Sequence, residues 1–533
     1  MQTPAQVEER QLDSVTTSPP VRRGRSLALL ALLIVSIVLV IVVARQWPFT
    51  RQAVLASLQQ QSGSAVEIGA FHQFYFPHPG CVAEAVTVRK DVSTPPLITI
   101  QKLTIVGSYA GLLTHHLSMI RAEGFHVSVR KQSVAPGSFG NVGRISSGLT
   151  IAQLVADGSE VEIVPQQQGQ TPLVFRIPRL VLRNIADSQP LNFESVVQLP
   201  KPAAEVTVAG KFGPWQPDHG GQTLMSGAYS VRELDLGDVS GLAGKIVASG
   251  KFDGELQSVR VQGSLDAPGF EVRQSKHPVH LAALYIATVN GLNGDINVDA
   301  ARAHFSATTL FGAGTISNQG EASGKTANIE LWSKQARIED LLWLCVSDNP
   351  PSMTGAIVFR ANVQIPPGSR PCLRKTTLQG DFGISNAQYP NPETQKDIDI
   401  LSARARGEAG KVEHIQDKVG KNDYGPGRVV SNLKGHVTLI DGVAHLSNVS
   451  FDVPGASAVL SGNYSLLTER IDLSGHMHMV ADLPNTTTGF KSMLLRVMQP
   501  FLHKSKSSDS VVAIRIGGTY DHPTYAVVPK ARK

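Results

Sequence analysis

Cysteine is almost absent: Cys81, Cys345 and Cys372 are the only three in 533 residues, and no C-x-x-C spacing occurs. That is too few for a disulfide-stapled scaffold. An oxidising compartment would let Cys345 pair with Cys372 and leave Cys81 free, and three isolated semi-buried thiols fit the sequence equally well. Charge is thin, at 17% with a net +6. Lys and Arg are scattered rather than run together with aromatics, which argues against nucleic-acid binding. There is no G-x-S-x-G, no P-loop and no H-E-x-x-H. Gly312-x-Gly314 lacks the third glycine and the strand-to-helix setting of a dinucleotide loop, so it reads as a turn. His476 and His478 share one strand face, with His436 on a neighbouring strand, yet no Cys, Asp or Glu stands at ligand spacing. His115-His116 reads the same way. The expectation is a non-enzymatic chain with no metal and no cofactor.

What the chain has is turn formers, 48 Gly and 32 Pro, set between short alternating runs. The clearest stretch is Val430–Met479. Leu433, Val437 and Leu439 fall on one face, as do Val449, Phe451 and Val453, and then Ile471, Leu473, Met477 and Met479. A period of two predicts half-buried strands with one apolar and one wet face. Asp441-Gly442 between two such runs supplies the positive φ of a tight hairpin turn. Similar strands recur at roughly ten-residue spacing from AVEIGAF onward. The block 281–317 reads as about four of them. A Gly-x-aromatic or Gly-x-Leu ending repeats at Gly210/Phe212, Gly227/Tyr229, Gly250/Phe252, Gly263/Leu265, Gly380/Phe382, Gly462/Tyr464 and Gly518/Tyr520. The phrase Gly263–Phe270 is echoed by Gly518–Tyr525, which fits a recurrent hairpin boundary or an internal duplication.

Residues 1–25 read as a disordered tail ending in Arg22, Arg23 and Arg25. From Ser26 to Ala44 every residue except two serines is apolar. At about 1.5 Å per residue the run is about 28 Å long, close to a bilayer core. The preceding arginines predict a cytoplasmic N-terminus. A cleaved signal peptide is the competing reading, and the length of the run favours an uncleaved anchor.

Short helices are expected at RQAVLASLQQQSG behind the N-cap Thr50, at SYAGLLTHHLSM, and at RIEDLLWLCV. A fourth is expected over residues 486–506, with Phe490, Met493, Leu494, Val497, Met498 and Phe501 on one face, suited to a membrane surface or to the end of a sheet.

The motifs "G.aVEIG.f", "ITIqkLtI", "gLLthhLsm" and "GfhVsVrK" near the start resemble the AsmA family. So do "xDG", "sNVSF", "GA.A.LSG.Y" and "ID.SG" near the end. The resemblance implies a mainly β protein: an elongated, strongly coiled antiparallel sheet forming an apolar groove, with a few short helices and one N-terminal transmembrane helix. The segments expected are 1–25 (tail), 26–44 (transmembrane helix), 45–200 (N-terminal β segment), 201–336 (middle β segment) and 337–533 (C-terminal β segment). Roughly 30 strands in one sheet would give a trough on the order of 140 Å. As in TamB- and YhdP-related proteins, the implied role is single-pass inner-membrane anchoring with a periplasmic bulk. The groove would conduct phospholipid acyl chains in outer-membrane biogenesis, lined by the ten apolar residues of Val430–Met479 named above. The alternative expectation is a scaffold for outer-membrane protein assembly, with envelope proteins as partners.

Overall fold

The computed structural model describes residues 49–62, 64–89, 96–113, 116–130, 150–164, 173–186, 189–216, 219–318, 324–347, 349–408, 410–411, 415, 428–479, 510–519 and 522–527. The chain opens with α1 (Arg51–Ser62), β1 (Ala65–Phe74), β2 (Gly80–Arg89), β3 (Ile98–Gly107), α2 (Tyr109–Leu113) and β4 (His116–Arg130). It continues through β5 (Thr150–Val164), β6 (Leu173–Ile185), β7 (Leu191–Pro200), β8 (Ala203–Phe212), β9 (Leu224–Asp235) and the two-residue β10 (Leu242–Ala243). The middle holds β11 (Lys245–Glu255), β12 (Ser258–Val272), β13 (Val279–Val289), β14 (Ile296–Phe305), β15 (Thr308–Ser317) and β16 (Thr326–Arg337). Then come α3 (Ile338–Cys345), β17 (Thr354–Ile365), α4 (Cys372–Lys375), β18 (Thr377–Gln388) and α5 (Pro392–Ala405). Last are β19 (Ser431–Ile440), β20 (Val443–Val453), β21 (Ala456–Ser465), β22 (Arg470–Met479), β23 (Ser510–Thr519) and β24 (Pro523–Val527).

Each strand pairs with the next in sequence, with β10 set aside on β12 and β9 joined directly to β11. The ladder runs unbroken across residues 200 and 336. Twenty-two steps of about 4.8 Å make it on the order of 105 Å long, measured strand to strand. It is open, because β1 and β24 do not pair with each other.

All neighbours are antiparallel except β4 and β5, which run parallel from His116↔Thr150 to Arg130↔Val164. The expectation of a purely antiparallel sheet is corrected here. A parallel pair needs a crossover of a dozen or more residues, and residues 131–149 supply the length. The expected helix over SYAGLLTHHLSM is corrected as well. It stops at Leu113, and His116 already belongs to β4, where pairing on both sides outweighs local helix preference. Residues 281–317 hold three strands rather than four, because β13 and β14 each run to ten residues or more. The two similar glycine–proline phrases have different settings: the first lies inside β12, while the second straddles the β23–β24 turn.

Two long-range contacts show how the ribbon bends. The amide of Cys372, after β17, donates to Ser240 O, before β11, at 2.9 Å. Ser347 Oγ, after β16, lies 2.9 Å from Glu469 Oε1, before β22. In an antiparallel ladder, alternate connections sit at opposite strand ends. Both contacts join opposite ends, so the sheet is wound as a helical ribbon and does not close into a barrel. Contact across six ladder steps implies a turn about as tight as a small barrel, whose interior has room for side chains and little more.

The expected transmembrane helix over 26–44 lies outside the described residues, and among the described residues no helix is long and apolar enough to cross a membrane. The single-pass inner-membrane topology, the periplasmic placement and the membrane-centred role lose the element they rested on, and they are withdrawn.

Candidate functional site

The inward face is apolar along the whole ladder, but it is not one open lane. At its start α1 lies across it. Thr50 caps the helix, its Oγ1 accepting from Ala53 N at 3.2 Å. Val54 and Leu58 then pack with Ile105, Leu117, Ile120, Ile151, Leu154 and Leu182 in a closed core. At the far end α5 does the same: Ile400, Leu401, Ala403 and Ala405 cover Val449, Val453, Ala456, Leu460, Met477, Met479, Val512 and Ile514.

The ten residues expected to line a groove therefore have a different setting. The registers do place them on one face, with Leu433 opposite Phe451, Met477 opposite Ala458 and Met479 opposite Ala456. Val449, Val453, Met477 and Met479 are buried in the α5 core, and Leu433 and Phe451 pack against it. Leu439 is buried, while Val437, Ile471 and Leu473 are half-buried. A helix occupies the space that acyl chains would need. The lipid-conducting groove, and the outer-membrane roles attached to it, have no support in the described structure. Phe490, Met493, Leu494, Val497, Met498 and Phe501 lie outside the described residues.

Sequence reasoning missed α5, although its start signal is present. Asn391 is the N-cap, its Oδ1 accepting from Glu393 N at 2.9 Å and Thr394 N at 3.2 Å, with Pro392 first in the helix. The helix is fastened by a buried polar network. Gln395 Nε2 donates to Asp399 Oδ1 and to Val429 O, both at 2.9 Å, and Gln395 Oε1 accepts from Tyr389 N at 2.9 Å. Asp399 Oδ1 also accepts from Val429 N at 2.9 Å, and Ser402 Oγ donates to Pro454 O at 2.8 Å. Burial raises the carboxyl pKa of Asp399, against the hydrogen bonds from Gln395 and Val429 and the nearby Arg428 charge, which lower it. A raised folded-state pKa gives stability that is complete below the unfolded value of about 4 and is lost as pH rises through the folded value. Asp399→Asn is accordingly expected to flatten the fall in unfolding midpoint from about pH 4 upward, as a denaturant series at stepped pH would read.

Between the two helix-covered ends, the sheet carries a row across four strands: Tyr229, Gly250, Gly263 and Tyr285 stand opposite one another in register. The two tyrosine hydroxyls meet at 2.5 Å over the glycines. A Cβ on Gly263 would sit 2.5 Å from Tyr229 Oη and 3.1 Å from Tyr285 Oη. Burial first, and then the Tyr285 hydroxyl, push the Tyr229 phenol well above its ordinary value. Two residues along the same β9–β11 pair, Gly227 faces Phe252, and a Cβ there would lie 2.7 Å from the Phe252 ring. The repeated Gly-x-aromatic ending is thus a reciprocal lock between β9 and β11, each strand's glycine receiving the other's ring.

The remaining candidates disperse. His476 and His478 are exposed on the outer face, and His436 Nδ1 lies 2.8 Å from Asp381 Oδ1. Among the described residues no group of three or more His, Cys, Asp or Glu is arranged to hold a metal ion. Cys345 and Cys372 are free thiols. Burial pushes the Cys345 thiol up to about 11 and the Cys81 thiol up to about 12, so neither is a thiolate at neutral pH. No family model, no curated protein and no solved structure matches the chain.

Proposed function

We propose that the protein is a non-catalytic β-scaffold that takes up a strand from another polypeptide along the outer edge of β24. The observation that carries this is the inequality of the two ladder edges. The outer edge of β1 is blocked by α1: Arg51 Nη2 donates to Ile68 O at 2.7 Å, and Gln73 Nε2 donates to Phe49 O. Among the described residues β24 pairs with β23 alone, and Thr524 and Ala526 are exposed. An unpaired edge offers backbone donors and acceptors in strand register, the basis of recognition by strand addition. The resemblance to the AsmA family stays a proposal about kinship, supported by the motif order and by the wound sheet.

Photo-crosslinking in the full chain tests the scaffold reading. A crosslinker at Thr524 or Ala526 should give polypeptide adducts several-fold above those from Lys211, which is exposed on β8. Tyr525→Pro, which removes an N–H facing away from β23, should reduce adducts from Thr524. Equal yields at all three sites would overturn it.

A further inference from the structure

Between β14 and β18 the outer face of the sheet carries an ordered row. Arg302, Phe311, Trp332, Arg360 and Asp381 stand opposite one another in register across five strands. Arg302, Arg360 and Asp381 are exposed, so the row points outward. At its centre the Phe311 and Trp332 rings are stacked, with 6.1 Å between centroids and 19° between planes. Both residues are half-buried, so part of each ring still meets water. The next two rows on this face bring side-chain amides. Glu330, Asn362 and Gln379 form one, and Asn328 opposite Gln364 belongs to the other. Among the described residues none of these four amides has a side-chain hydrogen-bond partner. Arg360 pairs with Glu330. Two arginines, Arg302 and Arg360, are thus matched by two carboxylates, Glu330 and Asp381, and the patch is neutral.

We infer that this patch is a binding site for a neutral, β-linked glycan chain. One side of such a sugar ring is made of C–H groups, whose slight positive charge is attracted by the negative face of an aromatic ring. Its rim is made of hydroxyls, each a donor and an acceptor, and a side-chain amide offers both partners. Two neighbouring rings beside a bed of unpaired amides match that combination. Charge argues against the other ligand that stacks on aromatic rings. A single-stranded nucleic acid needs a groove of uncompensated positive charge, and here the arginines are compensated. A phospholipid surface fits no better, because it would desolvate the amides without pairing them. The patch involves neither β24 nor its edge, so this inference is independent of strand addition.

The test titrates the full chain with cellohexaose and with chitohexaose in a calorimeter. At least one should bind, and Trp332→Ala should weaken that binding by about tenfold, the worth of one aromatic contact. Trp332→Tyr, which keeps a ring, should restore most of it. Asn362 is exposed, so Asn362→Ala keeps the test sound whatever Trp332→Ala does to the fold. It should weaken binding about fivefold, the worth of one hydrogen bond, with the unfolding midpoint unchanged. Binding of neither hexasaccharide overturns the inference, and so does binding indifferent to both Trp332→Ala and Asn362→Ala. Binding of an oligothymidylate in place of the sugars, lost in Trp332→Ala, also overturns it, because the stacked pair would then serve a nucleic acid.

Discussion

Ile400→Ala lowers the unfolding free energy by about 2–5 kcal/mol, the range for truncating a fully buried aliphatic side chain. Ile400 is 1% exposed and presses α5 onto the strands that carry Met477 and Met479. The helix is tied down by Asp399 and Ser402 as well, so the variant should stay folded in native buffer and bind a hydrophobic dye more strongly than the parent. Chemical denaturation followed by fluorescence gives the first quantity, and dye titration gives the second. Leu473→Ala is the matched control: Leu473 lies on the same face but is only half-buried, so its cost should fall below that range. If the two costs are equal, α5 is not what closes this end of the sheet.

Gly250→Val costs about 1–3 kcal/mol by overpacking. A Cβ there would press on the carbonyl of Gln262 in the next strand and lie 2.6 Å from Tyr229 Oη, so both the ladder and the tyrosine pair must shift. Gly383→Ala provides the contrast. A Cβ at Gly383 meets nothing within 4 Å, and its φ is not in the left-handed region. That substitution should leave stability unchanged or raise it by up to about 1 kcal/mol, through the lost freedom of the unfolded chain. Thermal or denaturant unfolding separates the two cases. Comparable losses at both glycines would mean that the close approach of Tyr229 and Tyr285 sets no constraint.

The strands were legible because alternation is a local property: Leu433, Val437 and Leu439 face inward whatever their neighbours do. The short α1 was legible for a similar reason, since Thr50 and the spacing of Ala53, Leu55 and Leu58 act within a few residues, although the structure buries Val54 with Leu58 and leaves Leu55 at the margin. Helix α5 was not, because its buried face mixes Ile400 and Leu401 with Gln395, Asp399 and Ser402, and polar residues buried through hydrogen bonds look like solvent-facing ones in sequence. Without α5, Met477 and Met479 read as the lining of an open trough rather than as the floor of a filled core. The parallel β4–β5 pair was hidden for another reason, because strand direction depends on where the crossover lands. The Gly-x-aromatic repeat was visible as a pattern, but its purpose emerges only once Gly227 and Phe252, and Tyr229 and Gly250, are seen in reciprocal register.

The opposite-end contacts of the ribbon have a mechanical consequence. Pulling the molecule lengthwise would first part Cys372 from Ser240 and Ser347 from Glu469, one hydrogen bond each, while every strand-to-strand ladder stays whole. A closed cylinder of strands must tear a ladder before it yields. This one can open between its turns with every ladder intact, at the cost of exposing the apolar inner face that α1 and α5 cover at its two ends.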